Sequence, residues 1–356
     1  MTGPDPAVAA VRSAVRTALD DLPAGALVLV ACSGGQDSLA LAAAAGFVAP
    51  RMGLRCGAVV VDHGWLPGSA RIAAAAAATC RELGLDPVTC VAVRPGPDGG
   101  PEAAARAARY RALERQAERD GAAAVLLGHT LDDQAETVLL GLSRGSGTRS
   151  LSGMSPRRGV HRRPLLATTR RQTGRACAVL GLDPWQDPAN DDPAFARSRL
   201  RAATGLLEDL LGPGLVPALA RSAGMLRADA DALDELAGRL GRRARLPPPP
   251  GAIAALQVAT LAQAPAALRR RVLLATAREA GSPAGSVGGR HVLAMESLVV
   301  AWRGQGALAL PGGLSAVREC GTLLVVEARQ GVRRGGRTAR RPDPAGPADR
   351  TDDPRE

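Results

Sequence analysis

Residues 26–31 form an unbroken apolar run. The loop Ser33-Gly34-Gly35-Gln36-Asp37-Ser38 interrupts it, and residues 39–48 resume with apolar and small side chains. A short continuous apolar run bounded by turn residues reads as a strand buried on both faces, and so as part of a parallel sheet. Strand, tight loop and helix start together make an anion site. Glycines permit positive φ and close backbone approach, and the first N–H groups of the helix have no partner of their own. Ser33 and Ser38 add hydroxyl donors. Asp37 would repel a phosphate unless a cation lies between them, and Mg²⁺ is bound in this way by one or two carboxylates plus phosphates. The loop therefore predicts a metal-bridged polyphosphate. An ordinary capped turn would use the same residue types, and neither the Gly-Lys-Ser/Thr nor the Gly-X-Gly-X-X-Gly phosphate pattern is present.

The neighbouring segments favour the anion site over the turn. Residues 6–22 place Val8, Val11, Val15 and Leu19 on one helical stripe. Residues 54–61 read as a second strand ending in Asp62-His63, and residues 87–93 as a third. Residues 122–128 read as a fourth strand ending in His129, with helical segments at 69–84, 101–120 and 131–142 between and after them. Strands alternating with helices predict an α/β class, a doubly wound parallel sheet whose ligands gather at the carboxyl ends of the strands. The 33–38 loop, Asp62-His63 and residues 129–136 all fall at such ends. On a helix starting at residue 131, Asp132 and Glu136 are i, i+4 neighbours and Asp133 and Glu136 are i, i+3 neighbours. Acids there also complement the helix dipole. A carboxylate cluster in a cleft calls for cations, either Mg²⁺ or an ammonium group of a substrate.

The loop resembles that of the N-type ATP pyrophosphatases, the PP-loop superfamily, which cleave ATP between the α and β phosphates. Further motifs narrow the likeness. His129-X-X-Asp132-Asp133-X-X-Glu136-Thr137, then Arg144-Gly145-Ser146-Gly147 and Leu151-Ser152-Gly153-Met154, resemble the tRNA(Ile)-lysidine synthase family. So do Glu102-X-X-Ala105-Arg106-X-X-Arg109-Tyr110, Arg163-Pro164-Leu165-Leu166, and Asp187-X-X-Asn190 leading into Phe195-X-Arg197-X-Arg199-X-Arg201. The likeness spans residues 25–205. It implies ATP and Mg²⁺ as cofactors, and free L-lysine and the CAU-anticodon isoleucine tRNA as partners. The reaction implied is adenylation of the C2 oxygen of the wobble cytidine, followed by attack of the lysine ε-amine. By the same resemblance, Ser33, Gly34, Gly35, Gln36 and Ser38 hold phosphate, Asp37 takes the metal, and Asp62 and His63 line the nucleotide. His129 and Asp133 stand with Asp37 as catalytic candidates, and Asp132, Asp133 and Glu136 as the lysine site. Arg106, Arg109, Arg144, Arg163, Arg197, Arg199 and Arg201 are assigned to phosphate or tRNA. Two rivals remain at this point: a tRNA thiolase on the same fold, and a non-catalytic RNA-binding protein.

Composition is compatible with this reading. The 356 residues carry 45 basic side chains, all arginine, against 34 acids, and the net charge of +11 suits a polyanionic partner. Absence of lysine excludes a protein lysine as catalyst. Six cysteines without a CxxC pair suggest neither a disulfide scaffold nor a zinc knuckle. No leader or membrane-length apolar stretch is expected, which implies a cytoplasmic protein without membrane association. The length predicts more than one domain: a catalytic domain over 1–205, a smaller, mainly helical α+β substrate domain over 206–330 hinged at Gly212-Pro213-Gly214, and a disordered tail over 331–356. Oligomeric state is not set by these features, and a homodimer stays open.

Overall fold

The computed structural model describes residues 3–64, 68–94, 101–190, 192–283 and 285–328; the tail expected to be disordered lies outside them. Helix α1 (Pro6–Leu19) precedes β1 (Leu27–Ala31), α2 (Gln36–Arg51), β2 (Arg55–Asp62), α3 (Ser69–Glu82), β3 (Val88–Ala92), α4 (Pro101–Asp120) and β4 (Ala124–Leu127). Then come α5 (Leu131–Ser143), the single turn α6 (Thr148–Leu151), the short strands β5 (Arg157–Arg158) and β6 (His161–Arg162), α7 (Arg170–Val179) and α8 (Ala196–Leu211). The strands form one sheet in the order β3-β2-β1-β4-β6-β5, parallel except for the β5–β6 pair. The expected doubly wound parallel sheet is borne out.

Alternation along β1 explains the two-faced burial. Val28 and Val30 pack with α1, α2, α3 and α7, while Leu27 and Leu29 pack with Leu113 and Ala117 of α4. The predicted stripe of α1 is the buried one. With few aromatic residues, alanines fill much of this core, among them Ala40, Ala42, Ala45, Ala49 and Ala77.

Strand order sets the position of the site. From β1 the chain winds outward through β2 to β3, then returns to place β4 on the other side of β1. The switch point therefore lies between β1 and β4, where the crevice of such sheets opens. Ala31 is in register with both Val59 and Leu127, so the segments after β1 and β4 leave the sheet at one level, while β2 runs on beside β3 as far as Asp62.

Helix α9 (Leu215–Ala244) follows, then β7 (Arg245–Leu246), β8 (Ala252–Gln257), α10 (Val258–Ala262), α11 (Ala266–Glu279), α12 (Gly289–Val300), β9 (Leu308–Leu310), β10 (Leu314–Glu319) and β11 (Thr322–Glu327). These strands form a second, antiparallel sheet in the order β7-β8-β11-β10-β9. Strands β10 and β11 are joined by the two-residue turn Cys320-Gly321, both at positive φ, as a type I′ hairpin requires. The described residues divide into compact units at Asp231/Ala232, within α9, rather than at 205/206. Contacts explain the later division. Arg201 of α8 pairs with Glu136, and Arg227 of α9 donates to the carbonyl of Met154 at 2.7 Å, which keeps both segments with the first unit.

Candidate active site

Helix α2 begins within the loop, at Gln36, with Gly35 in extended conformation before it and no side chain capping its first turn. Gln36, Asp37 and Ser38 are thus first-turn residues whose N–H groups are available to an anion. Gly34 has φ +81°, and its carbonyl accepts from Trp185 N at 3.0 Å. Ser38 braces the loop: its hydroxyl donates to Gly35 O at 2.8 Å and accepts from Ser33 N at 3.1 Å, with Ser33 Oγ 3.2 Å away. Ser33 itself is exposed. A cleft of about 360 Å³ opens beside the loop, lined by Gly34, Leu39, Ile72, Ala76 and Trp185 among others, and none of the acids described next lines it.

Gly128, at the end of β4, lets that strand approach α2. A Cβ there would lie 3.1 Å from the carbonyl carbon and oxygen of Asp37 and 3.2 Å from Ser38 N. This contact brings the acids of α5 beside the phosphate loop. Thr130 caps α5 in a reciprocal box, with Thr130 N donating to Asp133 Oδ2 at 2.8 Å and Asp133 N to Thr130 Oγ1 at 3.4 Å. Asp132 Oδ2 accepts from Arg170 N at 2.7 Å, at the start of α7. Asp133 thus caps its own helix, yet this leaves its Oδ1 for another partner.

That partner is Arg170. Its guanidinium reaches Asp133 Oδ1 at 2.8 Å, Asp37 Oδ2 at 3.5 Å and Glu136 Oε1 at 3.5 Å. Arg201 Nε also meets Glu136 Oε1 at 3.2 Å, and Arg197 meets Oε2 at 3.7 Å. Thr173, fully buried, donates its hydroxyl to Asp37 Oδ1, and Gln36 Nε2 reaches Thr173 Oγ1 at 3.1 Å and Arg170 O at 2.7 Å. Burial pushes the Asp37 carboxyl up, opposed by Thr173 and Arg170. Glu136 is also raised, by burial first and then by Asp133. For Arg170 burial works against the charge, but Asp133, Glu136, Asp37 and Asp132 outweigh it and hold the guanidinium above its ordinary value. Each acid feels the other acids as well as the arginine, so the guanidinium gains more than any one carboxylate does.

A cationic set lies against His129. Burial first, then Arg109, Arg106, Arg163 and Arg197, keep its imidazole well below the usual histidine range, and so neutral. Burial and Arg109 likewise lower His63, against Asp62 and Asp187. Four buried nitrogens, His63 Nδ1, His129 Nδ1, Arg109 Nε and Arg163 Nε, have no hydrogen-bond partner among the described residues. Buried donors in a positive field without acceptors suit an oxyanion. Arg163 and Arg106 both donate to the Tyr110 hydroxyl, at 3.1 and 3.2 Å. Asp62 Oδ1 accepts from Gly64 N at 2.9 Å, ordering the turn after β2.

The remaining candidates are placed differently. Arg144 is exposed at the end of α5. Arg199 donates to the carbonyls of Pro193 and Ala194 at 2.5 and 3.1 Å, whereas Arg197 and Arg201 face Glu136. Sequence reasoning singled out neither Arg170 nor Thr173. A readable signal was the second capping box, in which the Thr169 hydroxyl accepts from Gln172 N and which starts α7 at Arg170. Among the described residues no group of three or more His, Cys, Asp or Glu side chains could hold a metal. Asp37 nevertheless fits Mg²⁺, which needs only one or two carboxylates when phosphates supply the other oxygens.

A phosphate loop at the switch point of a doubly wound sheet, with acids and arginines at adjacent strand ends, defines an ATP-using domain of the PP-loop class. A family model described as a PP-loop domain matches residues 10–206, and one described as a TilS substrate binding domain matches residues 256–324. The chain belongs to the tRNA(Ile)-lysidine synthase family of ligases. It is 55% identical to the tRNA(Ile)-lysidine synthase of Thermobifida fusca, over 91% of this chain and 99% of that one. Identity is 53% with the Salinispora tropica enzyme of that name, covering 90% and 97% of the two chains, and 50% with that of Streptomyces coelicolor, covering 92% and 100%. The solved U34-tRNA thiolase NcsA from Methanococcus maripaludis, with its [4Fe-4S] cluster, superposes with TM-score 0.53 at 21% identity, covering 62% of this chain and 79% of that one, a likeness of fold. The resemblance read from the sequence is thereby borne out.

Proposed function

We propose that this chain joins free L-lysine to C2 of the wobble cytidine in a CAU-anticodon isoleucine tRNA, releasing AMP and diphosphate. The observation that carries the reading is Arg170, whose guanidinium ties the phosphate-loop acid Asp37 to the acids Asp133 and Glu136. An activating nucleotide and an ammonium-bearing substrate would then meet at one point, as a two-step transfer requires. In the first step the C2 oxygen attacks the α phosphorus of ATP, and the bond to diphosphate breaks. In the second the ε-amine forms the C–N bond, AMP leaves with the C2 oxygen, and the amine gives up a proton. Mg²⁺ held by Asp37 would supply charge neutralisation on the phosphates.

The remaining roles fall to the chain's own groups. The first-turn amides of α2, the glycines of the loop and Ser33 would bind phosphate, with Ser38 holding the loop's shape. Asp62 and His63 would border the nucleotide. Arg106, Arg109 and Arg163 would balance the departing diphosphate, and neutral His129 would hydrogen-bond there without adding charge. Asp132, Asp133 and Glu136 would receive lysine, its ammonium replacing part of what Arg170 and Arg201 now give them. Glu136, raised by burial, is the acid best suited to take a proton from the amine. Exposed Arg144 and Arg199 would meet tRNA phosphates. Residues 1–205 would carry the chemistry together with these contacts, and 206–330 the remaining tRNA contacts. No helix among the described residues is long and apolar enough to cross a membrane, and we place the reaction in the cytoplasm with its tRNA.

The test supplies ATP, Mg²⁺, radiolabelled lysine and the isoleucine tRNA transcript. Lysine should enter that tRNA and not a methionine tRNA with the same anticodon. Absence of incorporation by folded protein refutes the reading.

A further inference from the structure

Trp302 is the exposed aromatic residue among the described residues, with 46% of its surface accessible. In a chain with only six aromatic side chains, leaving the largest of them in water calls for an explanation. Its surroundings are built. Arg318 of β10 donates from Nη1 to the carbonyls of Leu298 and Val299 at 2.9 and 3.1 Å, capping the end of α12, and its guanidinium carbon lies 5.0 Å from the centre of the Trp302 ring. Gln305 braces the loop that carries the ring, accepting from Arg303 N at 2.6 Å and donating to Ala301 O at 3.0 Å. The indole is thus preorganised at a helix end, backed by a cation and followed directly by a second arginine.

We infer that Trp302 is a stacking platform for an unpaired nucleobase of the RNA substrate. This rests on the ligase reading. Residues 232–328 carry eleven arginines against six acids, a net +5, and a basic surface interleaved with an exposed aromatic is the pattern of single-stranded nucleic-acid contact. An apolar protein partner would want neither the guanidinium behind the ring nor Arg303 beside it. Trp302 and Arg318 both fall in the segment matched by the substrate-binding model. Stacking on one base would make Trp302 a residue of RNA affinity rather than of chemistry.

The test is equilibrium binding of the full chain to the isoleucine tRNA transcript across a salt series, with thermal melting of each variant alongside. Trp302→Ala should weaken binding by roughly 5- to 150-fold, the range of one base–aromatic stack, with melting unchanged. The slope of log affinity against log salt should stay as in the wild type, because no phosphate contact is lost. Trp302→Phe should retain most of the affinity, and Trp302→Leu should lose it. Wild-type affinity in Trp302→Ala overturns the inference while leaving the ligase reading intact. So does full affinity in Trp302→Leu, which would mark an apolar contact with a protein or a second copy. A wild-type chain that binds no tRNA overturns both.

Discussion

Replacing Arg170 by Met keeps the length and apolar stem of the side chain and removes its charge. Asp133 then loses a partner at 2.8 Å and Asp37 one at 3.5 Å, while Glu136 retains Arg201 at 3.2 Å and Arg197 at 3.7 Å. Breaking one side of a buried ion pair costs about 3–5 kcal/mol. Because Glu136 stays neutralised, the low end applies, and the first unit should lose about 3 kcal/mol near neutral pH. For a unit of that size the loss corresponds to a melting shift of about 6–12 °C. The pH dependence has a definite sign. Asp37 and Glu136 already sit above ordinary carboxylate values in the fold, and loss of the guanidinium raises Asp37 further. A carboxylate with a raised folded pKa has its stability intact below the unfolded value near 4 and loses it as pH rises through the folded one. The deficit of Arg170→Met should therefore shrink as pH falls from neutral toward about pH 4. Calorimetry and urea unfolding at both pH values measure it. A deficit below about 1 kcal/mol at neutral pH, or one of equal size at both, would refute the claim that Arg170 neutralises this cluster.

Three other outcomes follow from the same geometry. Thr173→Val removes the hydroxyl that holds Asp37 Oδ1 and leaves shape nearly unchanged; AMP release should slow by about 10- to 100-fold with only ~1–2 kcal/mol of stability lost, and an unaltered rate would deny Asp37 a positional requirement. Gly128→Ala sets a methyl 3.1 Å from the Asp37 backbone, where neither chain can retreat freely, so KM for ATP should rise and stability fall by about 1–3 kcal/mol, as steady-state kinetics and melting would report. His129 is held neutral, so between about pH 7 and pH 5 the unfolded chain takes up a proton that the folded chain refuses, and stability falls. His129→Gln should lessen that acid sensitivity, and identical pH slopes for both proteins would overturn the assignment.

The second unit, which holds the match to the substrate-binding family model, is braced internally by charge. Arg269 and Glu296 are both nearly buried and paired at 2.8 Å, with Arg270 on the other carboxylate oxygen at 2.7 Å and Arg269 Nη1 2.8 Å from Ala264 O. This network joins α11 to α12 within one core, and Arg318 joins the end of α12 to β10. The basic surface is therefore carried on a fixed frame, which favours binding by limiting what must be ordered on contact.

What the sequence determined by itself is what neighbouring residues encode. The apolar run of β1, the glycine-containing loop and the helix after it are local, as are the stripe of α1 and the acids at the start of α5. Their alternation was enough for a parallel doubly wound sheet, and the strand-end rule was enough to gather residues 33–38, 62–63 and 129–136. Contacts between distant residues were beyond it. Arg170 meets Asp37 across 133 positions of sequence and Glu136 across 34, and the capping box that starts α7 sets both Arg170 and Arg171 in its first turn without showing which of them faces those acids. The same holds for Arg197 and Arg201, which the resemblance assigned to phosphate or tRNA but whose helix turns them toward Glu136. Strand β8, Ala-Ile-Ala-Ala-Leu-Gln, lacks the β-branched bias of a strand and is one only because β7 and β11 pair with it. The sequence thus determined which chemistry the chain carries, because that chemistry needs particular residues close along the backbone. The tertiary structure decided which charges face each other, because sheet register and helix packing alone bring those side chains within a few ångströms.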